Sequence, residues 1–240
     1  MRLGNFAELS IGVIELGPTL LFYERLGFEK LDQNLEPWPW AVLTDGVITL
    51  TLSQASSPSL PVLNYFASDM DSRIETLRKS GVEIVNLHDD EITEVRGGVA
   101  APDGIDISLL QHAAKSIPQP PGESCVKCGV FGELAFPVKD LSRSVKFWRD
   151  VGFETERTSR LPYPWAVLTD GLFTLGFYET SDLSGAALVY YSDNVQDRVE
   201  QLAAEGFSLE RALPSPDMGI GRVGIHPPDG QVRILLDYRS

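Results

Sequence analysis

The amino-acid sequence predicts an α+β fold in which one domain occurs twice, each copy containing two βαβββ units. Three observations predict it: an internal repeat, a recurring order of strands and helices, and hairpin turns at matching positions. Residues 37–46 (PWPWAVLTDG) return as residues 162–171 (PYPWAVLTDG), an offset of 125 positions. The same offset relates further identical pairs, namely Phe6 and Phe131, Glu8 and Glu133, Phe22 and Phe147, Tyr65 and Tyr190, and Gly81 and Gly206. A register kept over about 75 residues indicates duplication of a whole domain.

Each copy opens with a strand and a helix. In residues 7–13, apolar side chains at alternate positions predict a strand with one buried face and with Glu8 and Ser10 on the other face. Residues 142–150 carry apolar side chains at helical spacing, and Gly152 is a typical helix end. A short strand at 27–31 follows in the first copy. Asp45-Gly46 is then a strong signal for a hairpin between two more strands, which completes one βαβββ unit.

The rest of each copy repeats this order. Residues 62–67 are predicted as a strand, 69–80 as a helix and 82–85 as a strand. A hairpin at Pro102-Asp103-Gly104 leads to a last strand at 105–110, and Pro228-Asp229-Gly230 is its counterpart at an offset of 126. The predicted domains are therefore residues 1–112 and 130–240, joined by a linker at 113–129 that is rich in Pro and Gly.

Composition and charge exclude several classes of protein. The chain has 240 residues, of which 43% are hydrophobic and 22% charged, enough for two domains with cores of their own. A net charge of −14 argues against nucleic acid as a partner, because phosphate binding requires clustered Lys and Arg. No apolar stretch approaches the roughly 20 residues of a membrane span, and the N-terminal residues lack the apolar run of a signal peptide. We expect a cytoplasmic protein without a membrane or nucleic-acid partner, while a homodimer stays open.

Both copies resemble the vicinal oxygen chelate superfamily. The resemblance rests on an acidic residue before a helix that ends in an aromatic pair and Gly-Phe, and on the closing Pro-Asp-Gly hairpin. These motifs stand as Glu15…Phe22-Tyr23-Glu24-Arg25-Leu26-Gly27-Phe28 and as Asp140-Leu141…Phe147-Trp148…Val151-Gly152-Phe153. The superfamily includes glyoxalase I, extradiol dioxygenases, fosfomycin resistance enzymes and bleomycin-binding proteins. The resemblance implies that the two units of each copy form a curled sheet around a cup.

In catalytic members of that superfamily, His, Gln or Glu side chains in the cup bind a divalent metal. The corresponding first-strand positions hold Glu8 and Glu133. The other positions fall on Thr49 or Thr51, Leu63 and Ser108 in the first copy, and on Thr174 or Gly176, Leu188, and Ile234 or Arg233 in the second. One carboxylate per cup is fewer than the about three protein ligands that a catalytic ion needs, and His88, His112 and His226 fall on none of these positions. We therefore predict cups without a metal or other cofactor.

Glu8 and Glu133 are the candidate catalytic residues. A carboxylate in a partly apolar cup has a raised pKa, which suits a general base or an anchor for a cationic group. The alternative is a structural carboxylate held by a neighbouring side chain. For Glu133 the sequence indicates Arg233, because the alternation of apolar residues in the last strand directs Arg233 into the cup.

Other candidates for ligand contact are aromatic or hydroxyl side chains. Trp38 and Tyr163 lie in the Pro-rich loops at the predicted cup mouth, and Tyr65 and Tyr190 lie either in the cup or in the core. Trp40 and Trp165, which begin strands, are predicted to pack between units. The remaining predicted ligand-binding residues are Ser10, Thr51 and Ser108, which make the first cup the more open and polar one, and Arg233. If Arg233 fills the second cup, that copy is structural or holds an anionic ligand.

We predict a protein that binds a small organic molecule in at least one cup. The alternative is a glyoxalase-like lyase or isomerase with Glu8 or Glu133 as general base, using a metal only if the ligand positions are shifted along their strands. A third class is a protein-interaction scaffold whose cups are filled by side chains. Cys125 and Cys128 form a lone C-x-x-C motif, interpreted as ordinary linker sequence or, alternatively, as a metal clip between protomers.

Overall fold

The computed structural model describes residues 2–57, 60–85, 95–112, 124, 126–211, 222–228 and 232–238. They form two mixed β-sheets and four helices in the order of four consecutive βαβββ units, so the predicted α+β architecture is confirmed. Predictions made above for His88, Cys125, Asp229, Gly230 and most of the linker lie outside these residues. Within the described ranges, no helix combines the length and the apolar character needed to cross a membrane.

The first sheet contains seven strands in the spatial order β2-β3-β4-β1-β5-β7-β6. Strand β1 runs parallel to β4 and antiparallel to β5, so the two units of the copy meet there. The strand predicted at 82–85 is reduced to one bridge between Val85 and Gly98. The elements are β1 (Phe6–Val13), α1 (Leu16–Leu26), β2 (Glu29–Asn34), β3 (Trp40–Thr44), β4 (Thr49–Gln54), β5 (Val62–Ala67), α2 (Met70–Lys79), β6 (Val95–Ala100) and β7 (Asp106–Gln111).

The second sheet has the same plan with eight strands, in the order β13-β14-β15-β12-β8-β11-β10-β9. The strand that is reduced to a bridge in the first copy is present here as β13. The elements are β8 (Val130–Pro137), α3 (Leu141–Asp150), β9 (Glu154–Ser159), β10 (Trp165–Thr169), β11 (Thr174–Tyr178), β12 (Ala187–Ser192), α4 (Val195–Ala204), β13 (Leu209–Arg211), β14 (Val223–Ile225) and β15 (Arg233–Tyr238).

Local sequence explains where the first helix of each copy begins and ends. Asp140 caps α3 by accepting a 3.0 Å hydrogen bond from the backbone N–H of Arg143. Gly27 and Gly152 follow α1 and α3 with φ values of 102° and 111°, a left-handed conformation that residues with a Cβ rarely adopt. The chain can therefore reverse sharply into β2 and β9.

Alternation along the strands gives each sheet two different faces. On β1, Leu9 and Ile11 are buried in the main core with the helices, whereas Glu8 and Ser10 are half-buried on the opposite face. We name the faces opposite the helices the first cup and the second cup. The main core includes residues of both copies, so the helix-covered faces of the two sheets pack into one hydrophobic cluster.

Candidate functional site

Glu8 lies in the middle of β1 and faces the first cup. Asn64, its direct partner on β5, donates hydrogen bonds from Nδ2 to Glu8 Oε1 at 3.0 Å and to Ser10 Oγ at 2.7 Å. Thr51 is the strand partner of Ser10, and Ser108 is the strand partner of Asn64. All five residues are half-buried on one face of four neighbouring strands. We name them the Glu8 cluster.

The environment of Glu8 changes its acidity. Burial raises the pKa of the Glu8 carboxyl above its usual value of 4.5, while the side chains of Asn64, Thr51 and Ser10 stabilise the charged form and partly oppose the rise. The carboxyl is therefore a better proton acceptor than a solvated glutamate, and it keeps oxygen lone pairs for a further hydrogen bond.

The residues of β5 and β12 that face the cups are not the predicted ones. Leu63 and Tyr65 pair with Leu9 and Ala7 of β1 and are buried in the main core. Successive side chains of a strand point to opposite faces, so an error of one residue in the assignment exchanges the two faces. The residue of β5 that faces the first cup is therefore Asn64. The second copy shows the same shift. Leu188 and Tyr190 are core residues there, and Val189 is the strand partner of Glu133.

Tyr65 and Tyr190 reach the other copy instead of a cup. The Tyr190 hydroxyl donates a 2.7 Å hydrogen bond to Asp45 Oδ2 in the hairpin turn of the first copy. Tyr65 faces Asp170, the equivalent turn residue of the second copy, and burial together with the Asp170 charge raises the pKa of Tyr65 well above 10.0. The turn aspartates, expected only to shape hairpins, therefore also join the two copies.

A buried ionic network, which we name the Arg222 network, fills the second cup. Arg222 donates from Nε to Asp237 Oδ2 at 2.7 Å and from Nη2 to the Tyr178 hydroxyl at 2.9 Å. Its Nη2 lies 3.7 Å from Glu133 Oε1, to which the Tyr178 hydroxyl also donates. Each of these side chains is at most 1% exposed. Apolar residues close the rest of this face: Ala135, Trp165, Val167, Leu183, Ala187, Val189 and Leu235.

Arg233 is not the partner of Glu133, so that prediction is wrong. Arg233 lies at the start of β15 and donates to Glu210 Oε1 at 3.3 Å and to the Ser184 hydroxyl. Arg222 is the cation beside Glu133, the role that was predicted for Arg233. Burial raises the pKa of Glu133, the positive charge of Arg222 opposes that rise, and the pKa of Arg222 is held well above its usual range.

Sequence reasoning did not find Arg222, Tyr178, Asp237 or Asn64. A signal existed for Asp237, because it follows Arg233 by four positions in β15 and therefore shares its face. Arg222 precedes β14, and its equivalent at the offset of 126 is Arg96. Arg96 is exposed and its Nε lies 3.9 Å from Asp71 of α2. Within the part of the chain that the structure describes, the guanidinium that fills the second cup thus has no counterpart in the first.

The aromatic side chains at the two cups differ in burial between the first and the second copy. Trp38 is 77% exposed, and Trp40 is half-buried on β3 beside Ser53 of the first cup. Trp165 is buried in the second cup and stacks on Tyr178 with ring centres 6.4 Å apart. Tyr163 is half-buried, with its ring centre 6.2 Å from that of Tyr178. The aromatic residues of the second copy therefore pack on the Arg222 network.

Among the described residues, neither cup presents the about three protein ligands that a catalytic metal ion usually has. In the first cup, the side chains next to Glu8 across the sheet are Asn64 on β5 and Ser108 on β7. The amide nitrogen of Asn64 faces Glu8. In the second, the Arg222 cation already lies beside Glu133. No group of three or more His, Cys, Asp and Glu side chains that could hold a metal occurs among the described residues. Cys128 is buried and burial raises its pKa to about 12, which disfavours the thiolate that binds metals.

Comparison with known proteins identifies the fold. No protein-family model and no curated protein sequence matches the chain. The homoprotocatechuate 2,3-dioxygenase of Brevibacterium fuscum is similar in structure, with 13% identity and a TM-score of 0.61 over 98% of this chain and 72% of that one. A catechol 2,3-dioxygenase matches with 14% identity and a TM-score of 0.61, over 100% of this chain and 89% of the other.

A halotolerant catechol dioxygenase matches in the same way, with 16% identity and a TM-score of 0.60, covering 100% of this chain and 87% of that one. The chain therefore has the tandem two-domain fold of these extradiol dioxygenases, which agrees with the fold that the resemblance to the vicinal oxygen chelate superfamily implied. Sequence identities this low show the fold, and the reaction has to be argued from the site itself.

Proposed function

We propose that the first cup binds a small organic molecule through the Glu8 cluster. The observation that carries the proposal is the contrast between two equivalent carboxylates. Glu133 is fully buried in the Arg222 network, whereas Glu8 is half-buried and accepts a hydrogen bond from Asn64 on the adjacent strand. Glu8 therefore keeps hydrogen-bonding capacity on the face of its sheet that lies opposite the helices.

The chemistry of the Glu8 cluster defines the class of ligand. Its carboxylate accepts a hydrogen bond from a hydroxyl or ammonium group, and the hydroxyls of Ser10 and Ser108 can donate or accept. On the neighbouring β3, Trp40 and Val42 are half-buried on the same face and supply apolar surface. A small ring that carries a hydroxyl or amino group matches this combination. We propose that Trp38, the exposed residue of the nearby loop, is a further contact.

Tryptophan fluorescence provides the test. Catechol is the first probe, because solved structures with this fold include catechol dioxygenases, and benzylamine tests the cationic variant. We expect a saturable change that is reduced in Trp40→Phe, disappears in the double variant Trp38→Phe/Trp40→Phe and persists in Trp165→Phe, the substitution equivalent to Trp40→Phe in the second copy. Glu8→Gln should weaken binding at least tenfold, whereas Glu29→Gln, on an exposed carboxylate of the same sheet, should leave it unchanged. Equal effects of the two glutamate variants would contradict the proposal.

We also propose that this binding is independent of metal, since the donor set of the first cup does not fit one. The titration should give the same affinity after extensive dialysis against a chelator. An affinity that falls on chelation and returns with one divalent ion per chain would show that the cup recruits metal ligands beyond the Glu8 cluster.

A second candidate, an enzyme that transfers a proton, is favoured by the raised pKa of Glu8. A lyase or isomerase of this kind needs a base positioned next to a C–H bond that is acidified by a carbonyl group. Glu8 is the base in this scheme, because Glu133 is enclosed by the Arg222 network. Exchange of such protons with deuterated solvent, followed by NMR and abolished in a folded Glu8→Gln variant, would distinguish the enzyme from a simple binding protein.

A further inference from the structure

A cavity lies between the two copies, apart from both cups. Its volume is about 440 Å³, within the range of roughly 300–1,000 Å³ that is typical of small-molecule sites. The first copy contributes the segment after α2 and part of β6, including Val82 and Val99. The second copy contributes one side of α3, including Phe147, and Val151 directly after that helix. We name it the Val82 cavity.

The duplication provides an internal comparison for this cavity. At the offset of 125, Val82 corresponds to Phe207 and Phe147 corresponds to Phe22. On that side of the molecule the space is occupied by protein. The Phe207 ring packs edge-on against Phe22 with ring centres 5.9 Å apart, and the Arg25 guanidinium lies 4.6 Å above the centre of the Phe207 ring.

Burial of the equivalent residues agrees with this difference. Phe207 is 8% exposed and covers Phe22, which is 9% exposed. Phe147 is only half-buried, because Val82 is too short to reach the place that the Phe207 ring occupies. The Val82 cavity is thus a position where the same architecture accommodates an aromatic ring and where the described residues of the chain do not provide one.

We propose that the Val82 cavity is a second ligand site, and that it binds a small aromatic molecule whose ring takes the place of the Phe207 ring. A ring in that position gains edge-to-face contact with Phe147, the preferred geometry of aromatic pairs. Apolar contact with Val82, Val99 and Val151 adds burial from water.

The polar edge of the cavity restricts the substituent on the ring. The residue equivalent to Arg25 is Asp150, so a carboxylate stands where the counterpart has a guanidinium. A hydroxyl or amino group on the ring can donate to Asp150 Oδ1, since Oδ2 accepts from Lys146 Nζ at 2.5 Å. Arg143 also lines the cavity and can donate a hydrogen bond to a ligand oxygen. Phenol is therefore the smallest molecule with the required chemistry.

The test is a titration of the full chain with phenol, followed by methyl NMR. We expect saturable shifts of the Val82, Val99 and Val151 methyl signals, while Val189 in the second cup stays unshifted. Val82→Phe should weaken phenol binding at least tenfold and raise the melting temperature, because the new ring fills the space. Glu8→Gln should leave the phenol concentration that half-saturates these three methyl shifts within twofold of the wild type, whether or not phenol also enters the first cup.

A substitution in the second copy tests the comparison between Val82 and Phe207. Phe207→Val should open an equivalent cavity and add a second set of shifts around Phe22, at the expense of some stability. The proposal is wrong if the three wild-type methyl signals do not shift saturably. It is also wrong if Glu8→Gln abolishes the shifts, since phenol would then occupy the first cup. The wild-type titration decides the question even if Val82→Phe fails to fold.

Discussion

The hydroxyl of Tyr190 donates a 2.7 Å hydrogen bond to Oδ2 of Asp45, from the central sheet of one copy to a hairpin turn of the other. Asp45 Oδ1 also accepts from the backbone N–H groups of Val47 and Ile48, so one carboxylate shapes its turn and holds the neighbouring copy. The equivalent pair, Tyr65 and Asp170, occupies the other side of the interface, where the Tyr65 hydroxyl has no hydrogen-bond partner of normal geometry among the described residues.

The difference between these two pairs leads to the first prediction. Tyr190→Phe removes a buried hydrogen bond to a carboxylate, and we expect the free energy of unfolding to fall by about 1.5–3 kcal/mol. Tyr65→Phe removes a hydroxyl without such a bond and should cost less than about 1 kcal/mol. Chemical denaturation of both variants at pH 7 measures the difference. Equal losses would show that the two sides of the interface are energetically equivalent.

The second prediction concerns Arg222. Arg222→Met leaves the carboxylates of Glu133 and Asp237 buried without their cation, so we expect a loss of about 3–5 kcal/mol in the free energy of unfolding. The control is Arg96→Met, the equivalent change in the first copy, where the exposed ion pair with Asp71 contributes about 0.5 kcal/mol at most. Denaturant titrations would contradict this account if the two losses were similar.

The third prediction concerns Gly176, whose equivalent in the first cup is Thr51. A Cβ at Gly176 would lie 2.5 Å from Glu133 Oε1 and 2.9 Å from Tyr178 Cε2, so the buried network must shift to accept it. We expect Gly176→Ala to destabilise the protein by about 1–3 kcal/mol, the usual cost of overpacking. Gly185→Ala is the control, because a Cβ there meets nothing within 4 Å. Thermal melting of both variants provides the comparison.

The fourth prediction is a pH dependence that arises from Glu8. The pKa of Glu8 is raised in the folded protein above the usual 4.5, so between these values the folded state holds more protons than the unfolded state. The contribution of Glu8 to stability therefore falls as the pH rises from about 4.5 towards the folded pKa. Below this window, Glu8→Gln and the wild type should show the same dependence on pH. Through the window the variant should gain stability relative to the wild type, and above it the gained difference should stay constant.

Unfolding free energies measured from pH 3.5 to 8 test this dependence. Glu29→Gln, on an exposed position of β2, serves as the matched control and should give no comparable change. A relative gain of the Glu8→Gln variant on lowering the pH would have the opposite sign and would mean that the charged form of Glu8 is favoured by folding.

Local signals predicted the order of elements, because alternation, helical spacing and Asp-Gly turns depend on neighbours in sequence. They also directed Glu8 and Ser10 to a cup. The faces of β5 were not predictable in this way, since Leu63 and Phe66 place apolar side chains on both of them. The partner of Glu133 was not predictable either. Arg222 belongs to a different unit from Glu133 and lies far from it in sequence, and the equivalent Arg96 is exposed.

The offset of 125 residues has a consequence for specialisation. Two separate identical domains related by a twofold axis must carry every substitution on both sides, so whatever closes one cup closes the other. Joining the copies in one chain removes that constraint. Arg222 can then fill the second cup while the first cup keeps the Glu8 cluster. In the same way, Phe207 can occupy a space that is left as the Val82 cavity on the other side. The fusion thus allows one copy to take a structural role while the other copy evolves a new binding or catalytic function.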